Sequence, residues 1–248
     1  MIMVNSNLII SKTLKISKKE ILDDFFLMNI SRNISYIGRK EVFMGRAKFG
    51  VFGDGKELPQ IAMSKFFRNG DFRSGYYRDQ TFMMSIDQLN PDQFFAQLYA
   101  HTDIDKDPHS GGRQMNCHFG TRLLNKKGEW KTQTDMMNSS SDVSCVSGQM
   151  PRIVGLAYAS KLFRNNKKLS NMENFSNNGN EVVFGTIGDA STSEGHFWEA
   201  INACGVLQVP LVMSIWDDGY GISVPSEYHT TRNDLSKVLS GFQRSSKN

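Results

Sequence analysis

The chain has 248 residues, 39% hydrophobic and 22% charged, with a formal net charge of +4, which allows one large α/β domain or two small ones. No apolar run approaches the ~20 residues needed to span a bilayer. The positive charge is spread along the chain without the basic stripe that would point to nucleic acid. Three scattered cysteines, Cys117, Cys145 and Cys204, show no metal-type pairing and point to free thiols in a reducing compartment, here taken as a bacterial cytoplasm.

In chain order, residues 1–17 read as a loose leader that lacks the charged and apolar regions of a signal peptide, and residues 18–248 as one domain. Lys18–Arg46 predicts a helix with Ile21, Leu22, Phe25, Phe26 and Met28 as its apolar set. Ile61–Arg68 predicts a short helix. Asp87–Thr102 predicts another, started by Asn90 or Pro91. Pro151 opens a helix over Arg152–Phe163 whose small residues suit packing on a sheet. Asn165–Asn180 is a polar surface loop. Then come a strand at Val182–Ile187, a helix carrying Phe197, Ile201, Cys204 and Leu207, and a strand at Leu211–Trp216. Lengths of this kind make a βαβ unit with parallel strands and a right-handed crossover. Asp234–Phe242 predicts a last helix, and Gln243–Asn248 a frayed end.

Both strands of the βαβ unit end in acidic turns, Gly188-Asp189 and Asp217-Asp218-Gly219-Tyr220-Gly221. Both turns therefore leave the carboxyl edge of a parallel sheet, where ligands bind. Either turn alone is ordinary loop chemistry. One helix and one strand apart, they bring Asp189 and Asp218 side by side, and like charges at that range call for a cation. Oxygen ligands without a His or Cys cluster suit magnesium or calcium, and magnesium keeps phosphates as further ligands. The residues thus predict a magnesium–phosphate site.

This stretch resembles the thiamine diphosphate motif. More closely it resembles the α-type part of the 2-oxo acid dehydrogenases, their decarboxylating first component, on Gly188-Asp189, Ser193-Glu194-Gly195 and Gly219–Pro225. The resemblance implies magnesium held by the side chains of Asp189 and Asp218 and by the Tyr220 backbone carbonyl, with Gly188 and Ala190 in the cofactor turn. Two residues depart from the pattern. Ala190 replaces a glycine, which requires negative φ there. Asp217-Asp218 replaces Asn-Asn and adds negative charge beside a diphosphate.

Three upstream segments extend the likeness. Tyr76–Gln80 resembles the family's Tyr-Arg segment and implies that Tyr77 and Arg78 meet the diphosphate, a task that suits the guanidinium fork. Read alone, Arg78 is a surface arginine paired with Asp79 or Asp71. Gly111–Gly120 resembles a stretch near the active-site channel, with Asn116 in place of proline. It offers His118 for proton handling, since its ordinary pKa is about 6.5; a hydrogen-bonded structural histidine is the other reading. Ser144–Pro151 resembles a serine-rich loop that touches the aminopyrimidine. It implies Ser144 as a ring neighbour and Val146 as the wedge between the cofactor's rings, and it also fits plain helix-cap chemistry.

The implied fold is α/β, a thiamine diphosphate-binding fold with a parallel sheet flanked by helices, incomplete at its C-terminal end. The details look most like forms with α-type and β-type parts fused in one chain. The implied reaction is oxidative decarboxylation of a 2-oxo acid and passage of the acyl group to a lipoyl acyltransferase. The carboxylate that activates the aminopyrimidine belongs to the β-type pyrimidine-binding part, so this chain is expected to bind the magnesium–diphosphate end and not to catalyse alone. Gly112–Met115 resembles the branched-chain type more than the pyruvate type, and acetoin dehydrogenases share much of the pattern. A non-catalytic remnant of the fold is an alternative. A magnesium phosphohydrolase is another, but it leaves Tyr77-Arg78 and Gly111–Gly120 unexplained. Neither a membrane nor a nucleic acid is expected as a partner.

Overall fold

Four parallel strands form the centre of the molecule, seen in a computed structural model that describes residues 16–231 and 234–243. They are β1 (Phe72–Ser74), β2 (Asn138–Ser139), β3 (Val183–Gly188) and β4 (Leu211–Trp216), in the spatial order β2-β1-β3-β4. β3 and β4 pair from Val183–Leu211 to Gly188–Trp216, so they end level. The turns that follow them therefore leave the sheet side by side.

β3 is buried along its whole length, as a central parallel strand must be. Its side chains alternate between two cores. Val183 and Ile187 join Met150, Ile153, Ala157 and Phe197 under helices α5 (Met150–Asn165) and α6 (Gly195–Leu207). Phe184 enters the other core with Phe67, Phe82 and Trp216, and Phe67 meets the Phe184 and Phe82 rings edge-on. The second core is covered by α1 (Lys18–Phe43), α2 (Glu57–Ser64), α3 (Gln80–Ser85) and α4 (Pro91–Leu98).

Helix ends follow their caps more than the apolar pattern. Ser17 caps α1 by accepting from the Glu20 amide at 3.1 Å. The helix expected at Ile61–Arg68 forms earlier, at Glu57–Ser64, with Pro59 in a first turn that tolerates proline. The helix expected at Asp87–Thr102 shrinks to α4. Asn90 and Gln93 cap its start reciprocally, and left-handed residues stand on either side, Asp87 at φ 57 and Ala100 at φ 54. The last predicted helix splits into α7 (Leu235–Leu239) and a 3-10 turn at Ser240–Phe242. Most of the expected leader, residues 1–15, and the end at 244–248 lie outside the described residues. No helix among the described residues is long and apolar enough to cross a membrane.

A buried ion network ties the strands together beneath the carboxyl edge. Arg73 in β1 is fully buried and donates to Asp79 at 2.7 Å and to Asp142 at 2.9 and 3.0 Å. Asp79 also accepts from Trp216 Nε1 at 2.9 Å and from the Thr186 hydroxyl. Asp142 accepts from the Phe119 amide at 3.0 Å, and the Arg73 guanidinium faces the Phe119 ring. Burial works against the Arg73 charge, but Asp142 and Asp79 outweigh it and raise its pKa above the ordinary value. Gly75 leaves room for this network, since a Cβ there would overlap the Asp79 carboxylate and the Thr186 hydroxyl. Gly75→Ala is expected to cost about 1–3 kcal/mol through overpacking, read as a lower urea midpoint with an unchanged slope.

Candidate functional site

Asp189 follows β3 directly and is almost wholly buried. Among the described residues its Oδ2 has no hydrogen-bond partner. It faces a cavity of about 150 Å³ shared with Asp217, Gly219, Ser226 and His229. Burial lifts the Asp189 carboxyl above its ordinary pKa; the Ala190 amide opposes that, and the charges of Asp217 and Asp218 add to it. A buried carboxylate with a bare oxygen beside two more acids is the arrangement a cation relieves. No three His, Cys, Asp or Glu side chains among the described residues converge into a metal cage. An ion held here would draw on few side chains and complete its shell from backbone, water and ligand, as magnesium can.

The two acids after β4 diverge. Asp217 Oδ1 accepts from the Gly219 amide at 3.0 Å, and this side chain borders the Asp189 cavity. Asp218 Oδ1 accepts from the Tyr220 amide at 3.2 Å. Its Oδ2 turns to Lys56 Nζ at 3.1 Å and to Arg78 Nη2 at 3.8 Å. Burial opposes ionisation of Asp218, but Lys56 and then Arg78 outweigh it and hold the carboxyl below its ordinary pKa. Tyr220 begins the small hairpin of β5 (Tyr220–Gly221) and β6 (Val224–Pro225). A Cβ at Gly221 would come within 2.7 Å of the Ala190 methyl, so the two turns touch. Ala190 opens a 3-10 turn and is not among the residues with positive φ, which is the condition its methyl group requires.

Arg78 is set by its backbone. Gln60 of α2 donates to the Arg78 carbonyl at 2.6 Å and accepts from the Phe82 amide at 2.8 Å. Its neighbour Asp79 is taken by Arg73, Thr186 and Trp216, and Asp71 accepts from backbone amides at Arg68 and Val182. The surface pairing of Arg78 with Asp79 or Asp71 is therefore not what forms. The Arg78 guanidinium instead lies 5.1 Å from the Tyr77 ring centroid and reaches toward Asp218. Gly188 lies against the Tyr76 hydroxyl.

A neighbouring cavity of about 160 Å³ holds Tyr77, His118, Ser144, Val146 and Ser147. His118 Nδ1 lies 3.1 Å from the Asn116 carbonyl, which can only accept, so Nδ1 carries the hydrogen and Nε2 is free to accept from the Ser144 hydroxyl at 3.1 Å. Asn116 itself straps the loop to Val51 through both the amide and the carbonyl of that residue. Val146 is exposed. A further cavity, of about 410 Å³, lies at the opposite end of the strands beside Asp71 and Glu181 and takes no part in this site. Lys56 and Gln60 stand in no motif and give no signal in the sequence; Asp217 is visible in the acidic turn but is not singled out there as a site residue, because it differs from Asp218 only in which way its side chain turns.

Fold and site together define an α/β protein whose candidate site lies at the carboxyl edge of a parallel sheet. The chain belongs to the dehydrogenase E1 component family, whose profile matches residues 27–244. It is 24% identical over 232 residues to the 2-oxoisovalerate dehydrogenase subunit alpha of Bacillus subtilis, covering 93% of this chain and 61% of that protein. It is 27% identical over 201 residues to the mitochondrial 2-oxoisovalerate dehydrogenase subunit alpha of Homo sapiens, covering 81% of this chain and 37% of that one. The corresponding subunit of Caenorhabditis elegans is also 27% identical, over 200 residues. The chain thus spans between about a third and three fifths of the length of these relatives.

Proposed function

We propose that this chain is the diphosphate-binding, α-type part of a thiamine diphosphate-dependent 2-oxo acid dehydrogenase acting on branched-chain substrates of the 2-oxoisovalerate class. The observation that carries the reading is the bare, buried Asp189 oxygen among three acids at the sheet edge, with Arg78 and Lys56 alongside. Asp189, Asp218 and the Tyr220 carbonyl are the ligands assigned to magnesium, although Asp217 rather than Asp218 borders the Asp189 cavity while Lys56 and Arg78 hold Asp218 Oδ2. Tyr77 and Arg78 receive the diphosphate, Gly188 and Ala190 shape its turn, and Ser144 and Val146 line the ring end. His118 offers Nε2 as a proton acceptor at the pocket wall. When bound, thiamine diphosphate supplies the electron sink for loss of carbon dioxide from the 2-oxo acid. The acyl group goes to the lipoyl group of an acyltransferase, and a β-type pyrimidine-binding part supplies the activating carboxylate. The names of the relatives favour this substrate class over pyruvate or acetoin. The free thiols of Cys117, Cys145 and Cys204 suit a reducing compartment such as the bacterial cytoplasm.

Calorimetric titration with thiamine diphosphate and magnesium tests the reading. Binding is expected only with both present. Arg78→Ala is expected to weaken it about tenfold to a hundredfold, the worth of a charge-assisted contact, while the melting temperature stays near that of the wild type. Binding indifferent to Arg78, or to magnesium, counts against the assignment.

A further inference from the structure

Lys56 immediately precedes α2, far in sequence from the acidic turns. Its side chain is only 12% exposed, yet its ammonium bonds Asp218 Oδ2 at 3.1 Å across 162 positions of chain. The same oxygen lies 3.8 Å from Arg78 Nη2. Two cations from separate segments thus converge on one carboxylate. We propose that Lys56 is a positioning residue of the cofactor site, neutralising Asp218 so that a carboxylate can stand beside a bound diphosphate. This rests on the reading of the site as one for magnesium and a diphosphate.

Asp189, Asp217 and Asp218 already crowd one edge. A diphosphate brings further negative charge to that edge, and repulsion between close groups is strong where water is partly excluded. An amide at 218 would keep an oxygen for the metal and add no charge. A carboxylate there demands a fixed cation, and a mostly buried lysine in turn demands an anion. Lys56 and Asp218 satisfy each other, and with Arg78 the group carries a residual positive charge. The need for Lys56 therefore depends on what occupies position 218. A lysine that merely tied α2 to the turn after β4 would show no such dependence in ligand affinity.

The test is calorimetric titration of magnesium thiamine diphosphate into the full chain and its variants, with melting temperatures taken in parallel. Lys56→Met is expected to weaken binding about tenfold to a hundredfold. The double variant Lys56→Met with Asp218→Asn is expected to bind within about threefold of Asp218→Asn alone, because the charge that required Lys56 is gone. Lys56→Arg keeps the cation and serves if the methionine variant does not fold; it is expected to bind like the wild type. Lys65→Met removes equal charge from a pair with Glu20 and Asp24 and is expected to change nothing in binding. Wild-type affinity in Lys56→Met, weakened binding in Lys56→Arg, or a double variant as weak as Lys56→Met alone overturns the role of Lys56. A wild-type chain that binds no magnesium thiamine diphosphate overturns the reading of the site itself, and the role of Lys56 with it.

Discussion

Arg73→Met is expected to lose about 3–5 kcal/mol of stability, because it leaves buried carboxylates without their cation. Methionine fills much of the same volume, so the loss is one of charge and hydrogen bonds rather than of packing. Asp79 keeps Trp216 and Thr186 as donors, but among the described residues Asp142 keeps only the Phe119 amide. Burial already lifts the Asp142 carboxyl above its ordinary pKa even with Arg73 in place. A carboxyl whose folded pKa is raised costs stability as pH climbs from its unfolded value toward the folded one, and costs nothing below both. Removing Arg73 enlarges that lift. The gap between variant and wild type is therefore widest at neutral pH and narrows on acidification, where the wild type also begins to lose its partners for a buried guanidinium. At roughly 2–4 °C per kcal/mol for a chain of this size, the melting temperature should fall by about 6–20 °C at neutral pH. Urea titrations at neutral and acidic pH measure it; a gap that stays constant would mean that packing, not charge, holds this region.

The network also shows what a linear reading can see. The strand Leu211–Trp216 was legible to its last residue, because an apolar run bounded by Pro210 and Asp217 allows little else. β3 began one residue later than expected and ended on Gly188, one residue further on. β1 and β2, three and two residues long, are too short for any periodicity to register. Arg73 and Asp142 stand in no motif, and Asp79 enters only as a surface partner of Arg78; only the fold makes the three mutual partners. The same holds for Lys56, whose role depends on a contact 162 positions away. The acidic turns were legible because the βαβ unit between them is local, and its geometry is dictated by chain length and handedness. Which of the two acids after β4 faces Asp189 was not, since that depends on Lys56 and Arg78 drawing Asp218 aside.

Asp189→Ala is expected to behave in the opposite sense to Arg73→Met. Magnesium-dependent binding of thiamine diphosphate should fall more than about a hundredfold, since losing a metal ligand exceeds the 10–100-fold cost of losing its supports. The ligand-free chain should be no less stable than the wild type at neutral pH, because the variant removes a buried carboxylate whose Oδ2 has no partner among the described residues. The sign follows from the raised pKa: burial and the neighbouring acids make the ionised form of Asp189 costly in the folded state. That cost is present above the raised folded value, shrinks as pH falls toward the ordinary value of 3.8, and is absent below it. The benefit of the alanine should therefore fade on acidification, set against whatever packing the smaller side chain loses. A carboxylate kept for structure would do the reverse, since its removal would strand a donor and lower stability. Calorimetry and thermal unfolding on the same preparation decide between the two. Lost stability with intact binding would make Asp189 a structural acid, whereas lost binding with stability preserved is the mark of a residue kept for a ligand at the expense of the empty fold.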